Sequence, residues 1–234
     1  MRKFADLPKW TKKSFTYAGI GHRDLSGFRE PNTNQPVERV MAWLSGKLES
    51  LGYTLNSGGA KGADSAFEYG VKSLAKKRIF HPENATDETR AIARELHPSP
   101  DHLYPHALDL FARNTFQVFG GDLNTPVDFV VCYTKDGCEK AKDRSQASGG
   151  TGQAIAMADL KGIPVFNMSR NDWFIRLKQF LNLDFDLPTG ELPAIPADLL
   201  RLEKNAGPKS SKQEKQKLAP SPRDIKNLLK AARR

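Results

Sequence analysis

Two glycine-rich turns, each lying between an apolar run and a helix-like segment, constrain this chain more than any other feature. The run 53–57 enters the turn 58–62, and the run 127–133 is followed, after a polar loop, by the turn 148–152. A strand, a glycine turn and a helix in that order place backbone N–H groups at a helix start, where they can face a phosphate. The pattern therefore predicts an α/β domain with a site for phosphate-bearing ligands.

Apolar runs and helical spacings alternate along the chain. Strands are expected at 15–21, 53–56, 78–81, 127–133 and 163–168, and helices at 37–51, 63–74, 153–161 and 172–183. This alternation predicts a Rossmann-like, three-layer α/β fold in which helices cover both faces of a parallel sheet. Two further helices, at 86–96 and 103–119, interrupt it and are expected to form a helical insertion beside the carboxyl edge of the sheet.

Composition divides the chain into four regions. We expect an N-terminal lead-in at 1–13, the Rossmann-like nucleotide-binding domain at 14–183, an extended Pro-rich segment at 184–204 and a basic tail at 205–234. From Arg201 to Arg234 the chain has 11 Lys/Arg and 3 Asp/Glu, which leaves 25 basic and 24 acidic residues elsewhere. The tail is Lys-, Ser-, Gln- and Pro-rich, so it is expected to be largely disordered and to attract an acidic partner such as nucleic acid.

Several classes of protein are not favoured by the sequence. No apolar run approaches the roughly 18 residues that span a bilayer, and the first residues have no apolar signal core. We therefore expect a cytoplasmic protein without membrane contact. Cys132 and Cys138 are too few for a disulfide framework and are expected to be reduced. Neither lies in a metal-type cluster, so no metal and no cofactor are expected.

The two turns resemble those of known nucleotide-binding families. Residues 57–64, Ser-Gly-Gly-Ala-Lys-Gly-Ala-Asp, resemble the signature of the DNA-processing protein A family, which binds single-stranded DNA on a Rossmann-like fold and loads recombinase. Residues 149–152, Gly-Gly-Thr-Gly, resemble the glycine turn of the Lonely Guy phosphoribohydrolases. Both families belong to one superfamily, and the resemblance covers roughly residues 14–183. The whole chain, including Asn124-Thr125-Pro126 before a strand, resembles phage and plasmid proteins of the DNA-processing-A-like type.

The chain departs from both families. Lonely Guy enzymes carry a catalytic glutamate just after their glycine turn, whereas here the helix after Gly152 has no carboxylate until Asp159. N-glycosidic cleavage needs a carboxylate near the ribose. A winged-helix appendage like that of the DNA-processing family is also not evident. Whether the protein is an enzyme therefore stays open, and no catalytic residue is assigned; Asp64, Glu68, Asp128 or Asp159 would have to replace the glutamate.

The resemblance and the turn chemistry together indicate a nucleotide or single-stranded nucleic-acid binding protein, with a possible part in DNA recombination or processing. The alternatives are a nucleotide N-glycosidase of the Lonely Guy type and a sensor or sink of a nucleotide signal. The resemblance also implies a homodimer. The expected nucleotide- and phosphate-binding residues are Gly21, His22, Arg23, Ser57, Gly58, Gly59, Lys61, Asp64, Arg113, Asn114, Gly149, Gly150, Thr151 and Gly152. The expected nucleic-acid contacts of the tail are Lys209, Lys212, Lys215, Lys217, Arg223, Lys226, Lys230, Arg233 and Arg234.

Each candidate also has a plainer interpretation. The glycines of the first turn could serve only a tight turn, His22 and Arg23 could be solvated loop residues, and Asp64 could cap its helix or bond a ribose. Arg113, Asn114 and Gln117 could form an exposed polar stripe or a set that reads base and phosphate. The histidines at 81, 97, 102 and 106 are expected to be structural or surface residues, and the tail lysines could serve solubility.

Overall fold

Five parallel strands form the centre of the computed structural model, which describes residues 2–10 and 14–200. Their order is β3-β2-β1-β4-β5. The strands are β1 (Thr16–Gly21), β2 (Thr54–Ser57), β3 (Lys77–Ile79), β4 (Phe129–Tyr133) and β5 (Val165–Asn167). The expected parallel α/β sheet is thereby confirmed.

Helices cover both faces of the sheet, as the strand sequences require. Within β1 and β4, successive side chains point to opposite faces: Tyr17 and Phe129 enter one core and Ala18 and Val130 the other. The first core is closed by α1 (Val37–Ser50), α2 (Ala63–Gly70) and α6 (Trp173–Leu181). The second is closed by α3 (Asp87–Leu96), α4 (Pro105–Phe119) and α5 (Thr151–Leu160). Strands buried on both faces explain the near-continuous apolar runs of the sequence.

Capping, proline and glycine residues set the ends of the two helices of the insertion. Thr86 caps α3, its hydroxyl accepting a hydrogen bond from the N–H of Thr89 over 3.2 Å. Helix α4 begins at Pro105 rather than at residue 103, because proline suits the first helical position. It ends before Gly120, whose φ is +75°. The insertion packs on the second face of the sheet, and α4 reaches the carboxyl edge of the strands.

Helix α2 and strand β3 also end earlier than the sequence predicts. Helix α2 ends at Gly70, where the backbone turns extended at Val71, rather than continuing to residue 74. The third strand ends at Ile79, and His81 instead precedes a short 3-10 turn at Pro82–Asn84. The backbone N–H of His81 donates to Asn84 Oδ1 over 2.8 Å, which fixes its position beside the first glycine turn.

Segments flanking the 14–183 region also pack on the two cores. Phe4 and Leu7 are buried against the second core, and Lys161 donates to the carbonyls of Ala5 and Leu7. Residues 184–200 have no regular helix or strand, yet Ile195 and Leu200 are buried in the first core. The basic tail and its nine predicted nucleic-acid contacts lie outside the described residues.

Candidate functional site

A cleft of about 490 Å³ opens at the carboxyl edge of the sheet, above the central strand β1 and its neighbour β4. The chain leaves β1 for β2 on one side, whereas β4 and β5 lie on the other. Open α/β sheets bind ligands in such a crevice, where the direction of strand order reverses. Its lining residues are Ile20, Gly21, His22, Arg23, Asp24, Ala60, Asp64, Ala107, Leu110, Phe111, Arg113, Asn114, Gln117, Ser148, Gly149, Gly150, Thr151 and Ala154.

The second glycine turn forms one wall of this cleft. Gly149 has a φ of +56°, and Gly150 precedes the first residue of α5 without any side-chain cap. Both glycines are exposed. Within the part of the chain that the structure describes, the N–H groups of Gly150 and Thr151 donate to no other group. Unpaired amides at a helix start favour an anion, so this turn can accept a phosphate.

A hydrogen-bonded loop holds the second turn in place. The carboxylate of Asp136 accepts hydrogen bonds from the hydroxyls of Ser145 and Ser148, each over 2.6 Å. Burial opposes ionisation here, but these hydrogen bonds prevail and lower the pKa of Asp136 to about 2. Gly152 must be a glycine because a Cβ there would lie 2.8 Å from that of Ser148. The long charged loop is thus the support of the turn.

The residues that follow β1 form the floor of the cleft and contact both glycine turns. His22 donates from Nε2 to the carbonyl of Ala147 over 3.1 Å, so this nitrogen serves the second turn and not a ligand. The carbonyl of His22 accepts from the N–H of Ala63 over 3.0 Å. Gly62, with a φ of +80°, lies so close that a Cβ would sit 2.3 Å from the carbonyl oxygen of Arg23. These contacts hold the backbone of Arg23, whose side chain is exposed at the cleft.

The first glycine turn is closed by the protein's own side chains. The N–H of Ala60 donates to Asp64 Oδ2 over 3.2 Å, and the N–H of Gly58 also faces that carboxylate. Ser57 is fully buried and donates to Glu68 Oε1 over 2.6 Å. The amides of Gly58 and Ala60 therefore face an internal carboxylate where a ligand phosphate was expected, and the hydroxyl of Ser57 is bonded to Glu68.

Arg113 covers this closed turn. Its Nη1 donates to the carbonyl of Gly58 over 2.5 Å and lies 3.7 Å from Asp64 Oδ2, while its Nη2 donates to Asn114 Oδ1 over 3.1 Å. The side chain is only 8% exposed, and its Nε has no partner among the described residues. Burial lowers the pKa of Arg113, and the charge of Asp64 opposes that shift.

Asp64 is the one carboxylate of the four glycosidase candidates that lines the cleft. It is 3% exposed, and burial raises its pKa to about 6 against the opposing effect of Arg113 and the Ala60 amide. Glu68 is buried beside Ser57, Asp128 accepts from the N–H groups of Ser14 and Phe15 at the opposite edge, and Asp159 accepts from the N–H of Ala141. Asp64 thus accepts from the glycine turn that precedes its helix instead of capping the helix, whose N-cap is Gly62, and it also faces the cleft.

Helix α4 supplies the wall opposite the second turn. Asn114 donates from Nδ2 to the carbonyl of Gly150 over 3.2 Å, which ties α4 to the turn. Gln117 is fully buried, and both atoms of its amide lack a partner in the described region. The exposed-stripe interpretation of Arg113, Asn114 and Gln117 is wrong, because all three lie inward. Leu110 and Phe111 add an apolar surface that sequence reasoning missed; their place on the same helix face, one turn earlier, was the available signal.

Comparisons with family models, curated proteins and solved structures find no match to this chain. Among residues 2–10 and 14–200, no helix has the length and apolarity needed to cross a membrane. That same part of the chain has no grouping of three His, Cys, Asp or Glu side chains fit to hold a metal ion. Cys132 and Cys138 are both unbridged and buried.

Proposed function

We propose that the cleft binds a nucleotide, either free or as a unit of single-stranded nucleic acid, with a phosphate on the turn Gly149–Thr151. The observation that carries this proposal is the pair of N–H groups of Gly150 and Thr151, which have no partner among the described residues, at the start of α5 inside a cleft at the strand-order reversal. Arg23 adds an exposed positive charge at the same opening.

The rest of the cleft suits the remainder of a nucleotide. Its volume of about 490 Å³ falls within the range of about 300–1,000 Å³ usual for small-molecule sites. Leu110 and Phe111 offer an apolar surface for a base, and Phe111 lies beside Gly150, 3.6 Å from where a Cβ would stand. Gln117 lines the same cleft, and neither atom of its amide has a partner among the described residues, which suits hydrogen bonding to a base edge or ribose.

Calorimetric titration of the full chain with adenosine 5′-monophosphate and with a short single-stranded oligonucleotide tests the proposal. Gly149→Val puts a side chain into the mouth of the cleft, where His22 is the one described residue within 4 Å of the added Cβ. Gly162→Val is the matched control, since Gly162 also has a positive φ (+77°) and is outside the cleft. We expect wild type and Gly162→Val to bind and Gly149→Val to lose at least tenfold in affinity. No binding by wild type would end the proposal.

A second candidate function is hydrolysis at the N-glycosidic bond of a nucleotide. Asp64 favours it, because this buried carboxyl lines the cleft and its pKa of about 6 allows proton transfer near neutral pH. Incubation with nucleoside monophosphates should then release free base, and Asp64→Asn should abolish release while retaining binding. Binding without release in wild type would reject this candidate and leave the first intact.

A further inference from the structure

The two glycine turns are joined by a network of side chains that runs from Asp64 to Gly150. Oδ2 of Asp64 lies 3.7 Å from Nη1 of Arg113, and Nη2 of Arg113 donates to Asn114 Oδ1 over 3.1 Å. Asn114 in turn donates from Nδ2 to the carbonyl of Gly150 over 3.2 Å. An ion pair and two hydrogen bonds therefore connect the carboxylate at the first turn to the backbone of the second.

The three side chains of this network are shielded from solvent. Asp64 is 3% exposed, Arg113 8% and Asn114 6%, and all three line the cleft. Charges interact more strongly in such surroundings than in water, because the effective dielectric constant is lower. A change of charge on Asp64 therefore acts on a ligand in the cleft with little screening.

Asp64 changes its charge in the physiological range of pH. Burial raises the pKa of Asp64 to about 6, against the charge of Arg113 and with that of Glu68. Arg113 keeps its positive charge throughout this range. The other charged or titratable side chains around the pair Asp64–Arg113 come from α2, the first turn and the ends of β1 and β3, and are Glu68, Lys61, Arg23 and His81.

The charge of Asp64 determines how strongly Arg113 attracts an anion in the cleft. While Asp64 is ionised, its negative charge compensates the guanidinium, and the pair is nearly neutral. When Asp64 takes up a proton, the charge of Arg113 is no longer compensated, and the cleft gains one net positive charge. A phosphate on Gly149–Thr151 is then attracted more strongly, because Arg113 lines the same cleft.

We infer that ionisation of Asp64 weakens phosphate binding at the turn Gly149–Thr151, to which Asp64 is joined by this network. The inference rests on the proposed nucleotide binding and adds its regulation: the cleft binds its anionic ligand more tightly in mildly acidic solution. Because such coupling is reciprocal, a bound phosphate also raises the pKa of Asp64. The loss of affinity therefore begins near pH 6 and is complete at higher pH.

Calorimetric titration of the full chain with adenosine 5′-monophosphate, at pH 5 and at pH 8, tests the coupling. Asp64→Asn keeps the size of the side chain but cannot ionise. We expect this variant to bind nearly as tightly as wild type at pH 5 and about fivefold more tightly at pH 8, at the lower end of the usual range for coupled sites. Ionisation of the ligand's own phosphate cancels in the ratio of the two affinities, because both proteins meet the same ligand.

Asp24→Asn is the matched control. Asp24 also lines the cleft, but it is exposed, and hydrogen bonds from Ser26 lower its pKa. Asp24 is therefore ionised at both pH values, so the ratio of this variant's affinity to that of wild type should be the same at pH 5 and at pH 8. A ratio for Asp64→Asn that is equally independent of pH would overturn the inference.

A second measurement needs no variant. The ¹³C signal of the Asp64 carboxyl, followed in the labelled full chain, should titrate at a pH about 0.7 higher when adenosine monophosphate is bound, which is the fivefold coupling on a logarithmic scale. An unchanged midpoint would overturn the inference. If wild type binds the nucleotide at neither pH, the proposed function itself fails, whereas binding without coupling removes only the regulation.

Discussion

The guanidinium of Arg113 lies on the backbone of Gly58, with Nη1 donating to the Gly58 carbonyl over 2.5 Å. These residues are 55 positions apart in the chain, on α4 and on the turn after β2. Their contact places a side chain of the protein on the first glycine turn and joins the helical insertion to the sheet edge. The second glycine turn is left as the open one.

Gly58→Ala should destabilise the protein because its Cβ would overlap Arg113, 2.2 Å from Cζ. We expect the guanidinium to move and the free energy of unfolding to fall by about 1–3 kcal/mol. Urea denaturation measures this. Gly190→Ala is the control, since a Cβ there meets no atom of the described residues within 4 Å. Equal unfolding midpoints for the two variants would show that Arg113 is not seated as described.

Asp64 should make stability depend on pH in the acid range. Its pKa is raised from 3.8 to about 6, chiefly by burial, so the folded state binds the proton more tightly than the unfolded state. Its contribution to stability is therefore fully present below pH 4 and is lost as pH rises through 6, by roughly 3 kcal/mol at most. Asp64→Asn cannot titrate. Urea unfolding from pH 4 to pH 7 should show the variant gaining stability relative to wild type, whereas parallel profiles would contradict the assignment.

Asp136→Asn should loosen the open turn. The ionised carboxylate accepts from both Ser145 and Ser148, and an amide can replace only part of that arrangement. We expect affinity for adenosine monophosphate to fall about tenfold, while the positions of the other cleft residues change little. Asp143→Asn, an exposed carboxylate of the same loop, is the control. If both variants bind like wild type, the loop does not support the turn.

The sequence predicted the fold closely, but it did not predict which groups the first glycine turn contacts. The apolar runs were enough to place β1 and β4 along the chain. The glycines at 58 and 149 were enough to place the two turns. The sequence of a glycine turn is the same whether its amides donate to a ligand phosphate or to Asp64. The local sequence pattern does not show which group accepts these hydrogen bonds. Closure depends on Arg113, which reaches the turn only through packing of α4. The burial of Gln117 was equally a tertiary effect.

The tail should govern the salt dependence of nucleic-acid binding if its nine predicted contacts meet backbone phosphates. Replacing those lysines and arginines by glutamine in the full chain should reduce the slope of log affinity against log salt concentration, by about 0.7 for each lost phosphate contact to a single strand. Filter binding with an oligonucleotide at several salt concentrations measures the slope. An unchanged slope would assign binding to the domain alone.

The most direct measurement is a nucleotide titration of the isotope-labelled full chain, followed through the amide resonances of its glycine turns. If the phosphate lies on the open turn, the N–H signals of Gly150 and Thr151 should shift strongly on addition of adenosine monophosphate. The N–H of Ala60, already bonded to Asp64, should shift little. Large shifts at Gly58–Ala60 with none at Gly150 and Thr151 would contradict the account.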